Sequence, residues 1–508
     1  MDSLDPDACY LALKARDNRF DGVFFTGVTS TGIYCRPVCR VRTPKADNCR
    51  FFGHAAQAEA AGFRPCLRCR PELAPASGNH VAAWSTEDAS QLLALDAARL
   101  LRDAADGHTE AGSVAQVAQR LGVSERHLRR IFTAHWGTSP LQYVQTLRLL
   151  SAKLLLTDTR LPVSTVAALS GFASQRRFHA AWHERYGLNP LQLRLRPGTG
   201  TATAGDTSGG FQFKLAYRPP LDVAHLLSFL GQRAMVGVEW VDMAQAQWGS
   251  TLTVRQGTQT HAGWVMARFD ARQPLVHLQV ADGLAPVLRQ VLQRVRHVLD
   301  LDLQPDRVHA VLHATFPDAA GQRLPGALDG FAQAVRAVLG QQITVKAART
   351  LAQRLVKRWG TPIVTPWPGL THLFPAPEVL ALTSEQDLGE QGITRQRQAA
   401  IRALALGVAS GSLQLDTAAP PAATMAALKA LPGIGDWTAH YIAMRALHWP
   451  DAFPAGDVAL HHALGLSHLG LREATREAER RAQAWRPWRA YAVVRAWHTA
   501  ALAPKETP

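Results

Sequence analysis

The chain has 508 residues, a hydrophobic content of 47% and a formal charge of +15. Its length predicts several domains, and no run of about 18 or more uncharged apolar residues occurs, which excludes a membrane-spanning helix from the prediction. The polar, acidic start MDSLDPDACY is unlike a secretory signal, so we expect a cytoplasmic protein. The excess of positive charge serves solubility and also favours a polyanionic partner, most often nucleic acid.

The cysteines are confined to the first 69 residues, which is unusual for a disulfide-bonded secreted protein. Four of them form two close pairs, Cys35 with Cys39 and Cys66 with Cys69. This spacing fits a tetrahedral four-cysteine zinc site in a segment too small to rely on its core alone. Such a site could be purely structural. The unpaired Cys9 and Cys49 are predicted to pack as ordinary small side chains.

Residues 1–75 then show a specific resemblance. The segments DGVFFTGVTSTGIYCRPVCRVRTPKADNCRFF and AAGFRPCLRCRPE resemble the N-terminal domain of the Ada adaptive-response protein. The resemblance implies one Zn²⁺ per chain bound by the four paired cysteines, with Cys35 also removing the methyl group from a DNA methylphosphotriester. Such a transfer would be single-turnover, and losing one thiolate charge should strengthen DNA binding. A basic rim suited to a phosphate backbone is predicted from Arg36, Arg40, Arg42, Lys45, Arg50, Arg64, Arg68 and Arg70.

After a predicted linker at 76–84, residues 85–196 contain an internal duplication. VAQVAQRLGVSERHLRRIFTAHWGTSPLQYV and VSTVAALSGFASQRRFHAAWHERYGLNPLQLR each have an apolar helix, a turn and a basic helix, with Ser124 and Ser174 as predicted N-caps. Two αα-hairpins with solvated basic faces would also fit. The spacing resembles the DNA-binding domain of AraC-type regulators, whose second helices read the major groove. Candidate DNA contacts are Arg126, His127, Arg129, Arg130, Gln175, Arg176 and His179.

Residues 197–210 are rich in Gly, Thr and Ala and predict a flexible linker between halves that need not be rigidly coupled. The following stretch, 211–325, alternates between strand and helix patterns and predicts an α+β subdomain with a mostly structural role. Strands are expected in FQFKLAY, STLTVRQ, HAGWVMARF and PLVHLQVA. The run FKLAYRPPLDVAHLLSFLGQRAMVGVEW resembles the N-terminal subdomain of AlkA-type 3-methyladenine DNA glycosylases.

Residues 326–502 are predicted to be nearly all helical. The segment LPGIGDWTA contains Gly433, Ile434 and Gly435, and predicts a tight turn whose N–H groups, with the following helix N-terminus, favour a phosphate oxygen. In the order LGQQITVKAA, LPGIGDWTA, FPAGD and WRPWRAYA, the motifs resemble the helix-hairpin-helix glycosylase superfamily, AlkA branch. The two resemblances to glycosylases together cover about 290 residues.

The resemblance to the helix-hairpin-helix glycosylase superfamily implies the chemistry of the C-terminal half. Asp457 would be the catalytic carboxylate, although a helix N-cap or turn would also explain it. Trp437, Tyr441 and Trp497 match the pocket for a flipped base, which could instead be core packing. Gln342 matches the side chain that fills the vacated stack. Trp437 stands where lyase relatives carry a Schiff-base lysine, so hydrolysis alone is predicted.

We therefore predict a multidomain, mainly α protein: a zinc domain at 1–75, a helix-turn-helix domain at 85–196, an α+β subdomain at 211–325 and an all-α glycosylase domain at 326–502. The predicted function is alkylation repair and response, with hydrolytic excision of 3-methyladenine-type purines and self-methylation that regulates transcription. The alternative is a transcription factor with a structural zinc module whose C-terminal half only binds DNA. Expected partners are double-stranded DNA carrying alkylated bases, methylphosphotriesters or promoter sites, and RNA polymerase. We expect a monomer, associated with the bacterial nucleoid and not with a membrane.

Overall fold

The computed structural model describes residues 4–75, 89–105, 113–194 and 210–502. The predicted linker at 76–84 lies outside these ranges, and so does nearly all of the predicted linker at 197–210. Within the described residues, no helix is both long enough and apolar enough to cross a membrane.

The first module, residues 4–75, is a small four-stranded sheet with two helices. Its strand order is β3–β1–β2–β4, with β4 parallel to β2 and the other pairs antiparallel. Asp5 caps the first helix by accepting from the N–H of Asp7, which explains where that helix begins. Phe25 and Tyr34 pack edge to face in the core, with ring centroids 5.8 Å apart. The elements are α1 (Pro6–Ala15), β1 (Phe25–Val28), β2 (Ile33–Cys35), β3 (Cys49–Phe52), α2 (Ala55–Ala60) and β4 (Arg64–Pro65), with 3-10 turns at Asn18–Phe20, Ala46–Asn48 and Pro71–Leu73.

The second module is all helical and confirms the predicted duplicated helix-turn-helix. Its helices are α3 (Ala89–Ala105), α4 (Val114–Arg120), α5 (Glu125–Trp136), α6 (Pro140–Asp158), α7 (Val163–Leu169), α8 (Gln175–Tyr186) and α9 (Pro190–Arg194). Ser124 and Ser174 cap α5 and α8, as predicted, through hydrogen bonds to backbone N–H groups of the first turn. Gly137 and Gly187 end these two helices in the same left-handed conformation, with φ of 63° in both. The two units therefore share their start and stop signals.

The first module docks on α6, the helix that joins the two units. The buried carboxylate of Glu59 accepts hydrogen bonds from Tyr34 of its own module (3.0 Å) and from Thr146 of α6 (2.7 Å). Glu72 forms a second buried contact, an ion pair with Lys153 of α6 at 2.7 Å. Because buried carboxylates need partners, these two contacts fix the orientation of the module on the helix.

The third module has an antiparallel five-stranded sheet in the order β5–β9–β8–β7–β6, and the predicted strands are confirmed. Val265, Val276 and Val280 are fully buried on the side that faces the core. The elements are β5 (Phe211–Ala216), α10 (Val223–Arg233), β6 (Glu239–Asp242), β7 (Gln247–Gln256), β8 (Gln259–Phe269), β9 (Leu275–Val280), a 3-10 helix at Asp282–Val287, α11 (Leu288–Val298) and α12 (Pro305–Leu312).

The fourth module is almost entirely helical and is built around α19. Ala439, Ile442 and Ala443 of that helix have no exposed surface, so it lies inside the bundle. The elements are α13 (Gly330–Leu339), α14 (Val345–Trp359), β10 (Thr361–Pro362), β11 (His372–Leu373), α15 (Pro377–Leu382), α16 (Glu385–Glu390), α17 (Arg395–Ala409), α18 (Pro421–Lys429), α19 (Asp436–Arg445), α20 (Val458–Ala463), α21 (Leu471–Ala482), a 3-10 helix at Gln483–Trp485 and α22 (Arg489–Leu502).

The N-terminal and C-terminal halves are in direct contact, which corrects the expectation that they need not be coupled. Arg218, two residues after the end of β5, is fully buried and donates hydrogen bonds to the carbonyl oxygens of Asp21 (2.7 Å) and Pro75 (3.1 Å) in the first module. The same guanidinium donates to the carbonyl oxygens of Asp302 (2.6 Å) and Leu303 (3.2 Å) in its own module. The cores of the second helix-turn-helix unit and the five-stranded sheet are also one continuous cluster. Linker composition carried no information about this packing.

Candidate functional site

The four paired cysteines converge at one end of the small sheet. Their sulfur atoms all lie within 4.8 Å of one another. Cys35 ends β2 and Cys66 follows β4, and the parallel pairing of these strands places the two side by side. Cys39 and Cys69 come from the turns that follow. This donor set and its compactness fit one tetrahedral Zn²⁺ ion, whereas Cys9 and Cys49 lie outside the cluster, as predicted.

The four sulfur atoms differ in their hydrogen bonding. Backbone N–H groups donate from Arg36 to Cys69 (3.4 Å) and from Arg68 and Cys69 to Cys66 (3.4 and 3.5 Å). Among the described residues, no backbone N–H makes such a bond to the sulfur of Cys35 or Cys39. Because an N–H donor stabilises thiolate charge, the two sulfurs without one keep more electron density for attack on an electrophile.

The predicted basic rim around the cluster is only partly correct. Arg36 is buried and its Nε donates to Asp21 at 2.8 Å, and Arg70 forms an ion pair with Asp158 of α6 at 2.7 Å. These two arginines hold the module together and to its neighbour. The exposed members of the rim are Arg40, Arg42, Lys45, Arg50, Arg64 and Arg68.

The helix-turn-helix candidates lie at the start of α5 and α8, and most are exposed. Those with exposed side chains are Arg126, Arg129, Arg130, Gln175 and Arg176, whereas His127 and His179 are half-buried. Arg129 pairs with Glu125 one turn earlier (2.9 Å), so its guanidinium is partly neutralised. Arg126 and Arg176 occupy equivalent positions two residues after the caps, where a recognition helix meets base edges. Their contacts with DNA stay a prediction.

The LPGIG segment forms a hairpin between α18 and α19. Gly433 has a φ of 72°, and a Cβ there would lie 3.1 Å from the carbonyl oxygen of Gln396, so both conformation and space favour glycine. Gly435 is exposed and extended, and it precedes the first turn of α19. Ile434 is only 5% exposed and packs inward. The Ile434 side chain is therefore not available to an incoming phosphate, and the Ile434 N–H already donates to the carbonyl oxygen of Leu431 (3.3 Å).

Gln342 is exposed and has a positive φ of 53°, which is strained for a residue with a side chain. The preceding Gln341 was not singled out from sequence. Its Nε2 donates to the carbonyl oxygen of Gly433 (2.8 Å) and to the hydroxyl of Thr438 (3.0 Å). This amide fixes the loop that carries Gln342 against the hairpin.

Asp457 is 9% exposed and lies between two tryptophan side chains. The indole N–H of Trp437 donates to one carboxylate oxygen (3.0 Å), and that of Trp497 donates to the other (2.9 Å). The second oxygen also accepts from the N–H of Leu460 (2.8 Å), so Asp457 is the N-cap of α20 as well. Asp457 therefore has the capping role of the alternative, and its catalytic role stays a prediction that the cap does not exclude, because one carboxylate has enough lone pairs for both.

The three aromatic residues predicted to form a base pocket meet beside this carboxylate. Trp437 and Tyr441 stack in parallel, with centroids 5.2 Å apart and an interplanar angle of 5°. The centroid of Trp497 lies 6.0 Å from that of Tyr441. Phe229, from α10 of the α+β module, stacks on Trp497 with ring centroids 6.3 Å apart. The α+β module was expected to be mostly structural, but it also contributes a ring to this aromatic cluster.

Three arginines surround Tyr441. Arg445 donates to its hydroxyl at 3.1 Å, and Arg233 and Arg336 lie near enough to act on its charge. Burial raises the pKa of Tyr441, but the three guanidinium groups outweigh burial and bring the pKa below its usual value. Sequence spacing could have found Arg445, which is one turn after Tyr441 on α19. No local signal points to Arg233 or Phe229, because α10 reaches the pocket only through tertiary packing.

Four family models match the chain in order. They are the metal binding domain of Ada at residues 8–72, a helix-turn-helix domain at 117–196, the AlkA N-terminal domain at 212–329 and the HhH-GPD superfamily of base excision DNA repair proteins at 335–490.

Similar proteins show the same combination, or parts of it. A probable bifunctional transcriptional activator/DNA repair enzyme AlkA of Mycobacterium tuberculosis is 36% identical over 97% of this chain and 96% of its own length. DNA-3-methyladenine glycosylase 2 of Escherichia coli is 32% identical over 58% of this chain and 99% of its own. The bifunctional transcriptional activator/DNA repair enzyme Ada of Escherichia coli is 32% identical over 38% of this chain and 49% of its own.

Proposed function

The chain belongs to the family of bifunctional transcriptional activators and DNA repair enzymes that join Ada-type and AlkA-type modules, and we propose that each half has its own reactive centre. The C-terminal half is a DNA glycosylase of the 3-methyladenine type, and DNA is the partner of the chain. In this proposal Asp457 is the catalytic carboxylate. The observation that carries it is the pair of indole N–H groups that hold Asp457 at the edge of an aromatic pocket.

Excision of an alkylated purine mainly requires stabilising the sugar. A base such as 3-methyladenine is cationic and leaves readily, so the difficult species is an oxocarbenium-like sugar that must be captured by water. The carboxylate of Asp457 supplies the opposite charge. Because Trp437 and Trp497 each donate to one of its oxygens, the carboxylate is held in one orientation. The electrostatic stabilisation is thus preorganised.

The pocket and its surroundings would hold the flipped nucleotide. The parallel rings of Trp437 and Tyr441 offer π-faces, which attract a cationic base by about 0.5–2 kcal/mol. Gln342 would occupy the gap left in the stack, and the strain in its backbone is typical of functional positions. The hairpin at Gly433 and Gly435 would bind a backbone phosphate through its N–H groups. With no lysine in the Trp437 position, hydrolysis without strand cleavage is proposed.

Release of 3-methyladenine from methylated duplex DNA tests the glycosylase assignment. Asp457→Asn keeps one acceptor for the cap but sets an NH₂ group against an indole N–H, and we expect a fall of about 10² to 10³ in single-turnover rate. Asp5→Asn, which alters the N-cap of α1 in the first module, is the matched control and should leave the rate unchanged. Equal rates for Asp457→Asn and wild type would refute the assignment. No base release by wild type would favour the alternative in which this half only binds DNA.

The N-terminal centre is proposed to transfer a methyl group from a DNA methylphosphotriester to Cys35. The four cysteines would hold one Zn²⁺, which keeps thiols deprotonated at neutral pH. The Cys35 thiolate attacks the methyl carbon, an S–C bond forms, the C–O bond breaks, and its electron pair stays on the phosphate oxygen. The lack of an N–H donor to this sulfur supports its choice over Cys66 and Cys69.

Peptide mass after proteolytic digestion tests this step. Incubation with methylphosphotriester DNA should add about 14 Da to the peptide that contains Cys35, because one methyl replaces one hydrogen on the nucleophilic thiol. Cys49→Ser, at a cysteine outside the cluster, should behave like wild type. Zinc-loaded wild type that gains no mass would refute the transfer and favour a purely structural zinc module.

We also propose that the regulatory half acts as a monomer, with α5 and α8 in successive major grooves of a promoter and RNA polymerase as a further partner. Loss of one thiolate charge would strengthen its attraction to phosphates. Footprinting with unmodified and methylated protein measures this difference. Equal promoter affinity for the two forms would contradict it.

A further inference from the structure

A small cavity lies directly beside Cys35 on the face of the sheet that α1 covers. Its volume is about 10 Å³, which is room for a single water-sized group. Cys35 and Cys39 line it, whereas Cys66 and Cys69 do not. Of the four sulfur atoms, only those of the first pair can therefore meet a group held in the cavity.

The walls are mainly apolar and include two threonines, Thr26 and Thr43. Leu13 from α1 and Val28 from β1 close two sides, and each is at most 9% exposed. Thr26 stands directly opposite Cys35 in the antiparallel pairing of β1 with β2, so the two side chains project from the same face as cross-strand neighbours. Thr26 has no exposed surface, and its hydroxyl makes no hydrogen bond among the described residues.

An unpartnered buried hydroxyl is costly, so the Thr26 hydroxyl in a mainly apolar cavity indicates a ligand that brings a polar atom. A methyl ester has this combination: an apolar carbon bonded to an oxygen acceptor. An unmethylated phosphate oxygen carries charge and would be excluded from such walls. A longer alkyl group would exceed the volume.

We propose that this cavity binds the methyl group of the phosphotriester and sets the alkyl-size specificity of Cys35, with the Thr26 hydroxyl donating to the ester oxygen. The proposal rests on the methyl transfer proposed above. The methyl carbon enters the cavity next to the sulfur, and after transfer the S-methyl group occupies the same space. The ester oxygen leaves with the electron pair of the broken bond, so a donor at that atom assists its departure.

The experiment compares transfer from methyl and ethyl phosphotriester duplexes to the full chain, read as added mass on the Cys35 peptide. Val28→Ala enlarges the cavity and should raise the ethyl-to-methyl rate ratio about tenfold, the usual effect of one methylene in an apolar pocket. Thr26→Val removes the hydroxyl at constant shape and should lower the methyl rate about fivefold, while Thr26→Ser keeps the hydroxyl and the rate. Leu13→Ala opens the opposite wall and replaces Val28→Ala if the latter does not fold. Zinc content per chain and the thermal midpoint establish that each variant is intact.

The outcomes separate the cavity from the transfer itself. Methyl transfer by wild type with an unchanged ethyl-to-methyl ratio in the enlarged variants overturns the cavity proposal alone. Equal methyl rates for Thr26→Val and Thr26→Ser overturn it as well. Absence of any transfer by zinc-loaded wild type overturns both the cavity proposal and the function on which it rests.

Discussion

The contact between the two halves predicts a specific local opening when Arg218 is replaced. Its guanidinium donates four hydrogen bonds to carbonyl oxygens, two of them in the first module. A hydrogen bond from a charged donor contributes about 1.5–3 kcal/mol, but the buried guanidinium itself costs several kcal/mol to desolvate. Burial accordingly lowers the pKa of Arg218 to about 10, which leaves it charged at neutral pH.

Weighing these terms, we expect Arg218→Met to weaken the docking of the first module by about 3 kcal/mol, the cost of removing one partner from a buried charged contact. That is roughly a hundredfold rise in the undocked population. Hydrogen–deuterium exchange should show it as faster exchange in peptides covering residues 21–24 and 71–75. Arg218→Lys should lose a large part of the same energy, since one ammonium cannot reach carbonyl groups on two sides.

The control is Arg255, whose ion pair with Glu378 is exposed, with side-chain accessibilities of 53% and 45%. Arg255→Met should change stability by less than about 1 kcal/mol and leave those peptides unaffected. The reasoning about Arg218 fails if Arg218→Met exchanges like wild type at residues 21–24 and 71–75. It fails equally if the change is global, because a local contact should open locally.

Three further predictions use other parts of the molecule. Gln341→Met removes both hydrogen bonds to the hairpin, so kcat/KM for base excision should fall about tenfold with no loss of thermal stability; a parallel fall in stability would indicate a merely structural role. Burial lowers the pKa of His54 to about 3, so the unfolded chain binds the extra proton between pH 6.5 and 3 and the N-terminal half should lose stability as pH falls through that window. We expect the free energy of unfolding of wild type minus that of His54→Asn, measured by urea unfolding, to decrease by up to about 1.4 kcal/mol for each pH unit below 6.5. A difference that stays constant with pH would contradict this. Chelating the zinc should abolish methylation of Cys35 but preserve base excision, because Asp457 lies in the other half; loss of both activities would be inconsistent with separate centres.

Local sequence signals predicted the parts of this protein that are themselves local. Ser124 and Ser174 could be assigned as caps because a serine before an amphipathic run is a signal only a few residues long. The cysteine pairs could be assigned to one metal site because their spacing within each pair already fits a tetrahedral ion. For Asp457, local sequence predicted the cap, and only the resemblance to a family predicted the catalytic role.

Features that depend on tertiary docking could not be predicted in the same way. Phe229 and Arg233 reach the aromatic residues of the proposed base pocket because α10 packs across them, and nothing in their own segment indicates that surface. Arg36 looked like part of a DNA-facing rim because basic residues near a zinc site often are, yet a partner at Asp21 turns it inward. The composition of 197–210 predicts a linker, but composition does not report whether the modules on either side of it touch.

The second helix-turn-helix unit and the five-stranded sheet share one hydrophobic core, which affects any attempt to express the two halves separately. Cleavage within 197–210 would leave the C-terminal fragment with the buried face of Leu215 exposed and the Arg218 guanidinium without two of its acceptors. The N-terminal fragment would expose the apolar surface around Trp182. Each fragment would thus be a truncation through a hydrophobic core, and poor expression or aggregation of either one would reflect the cut and not a defect in its chemistry.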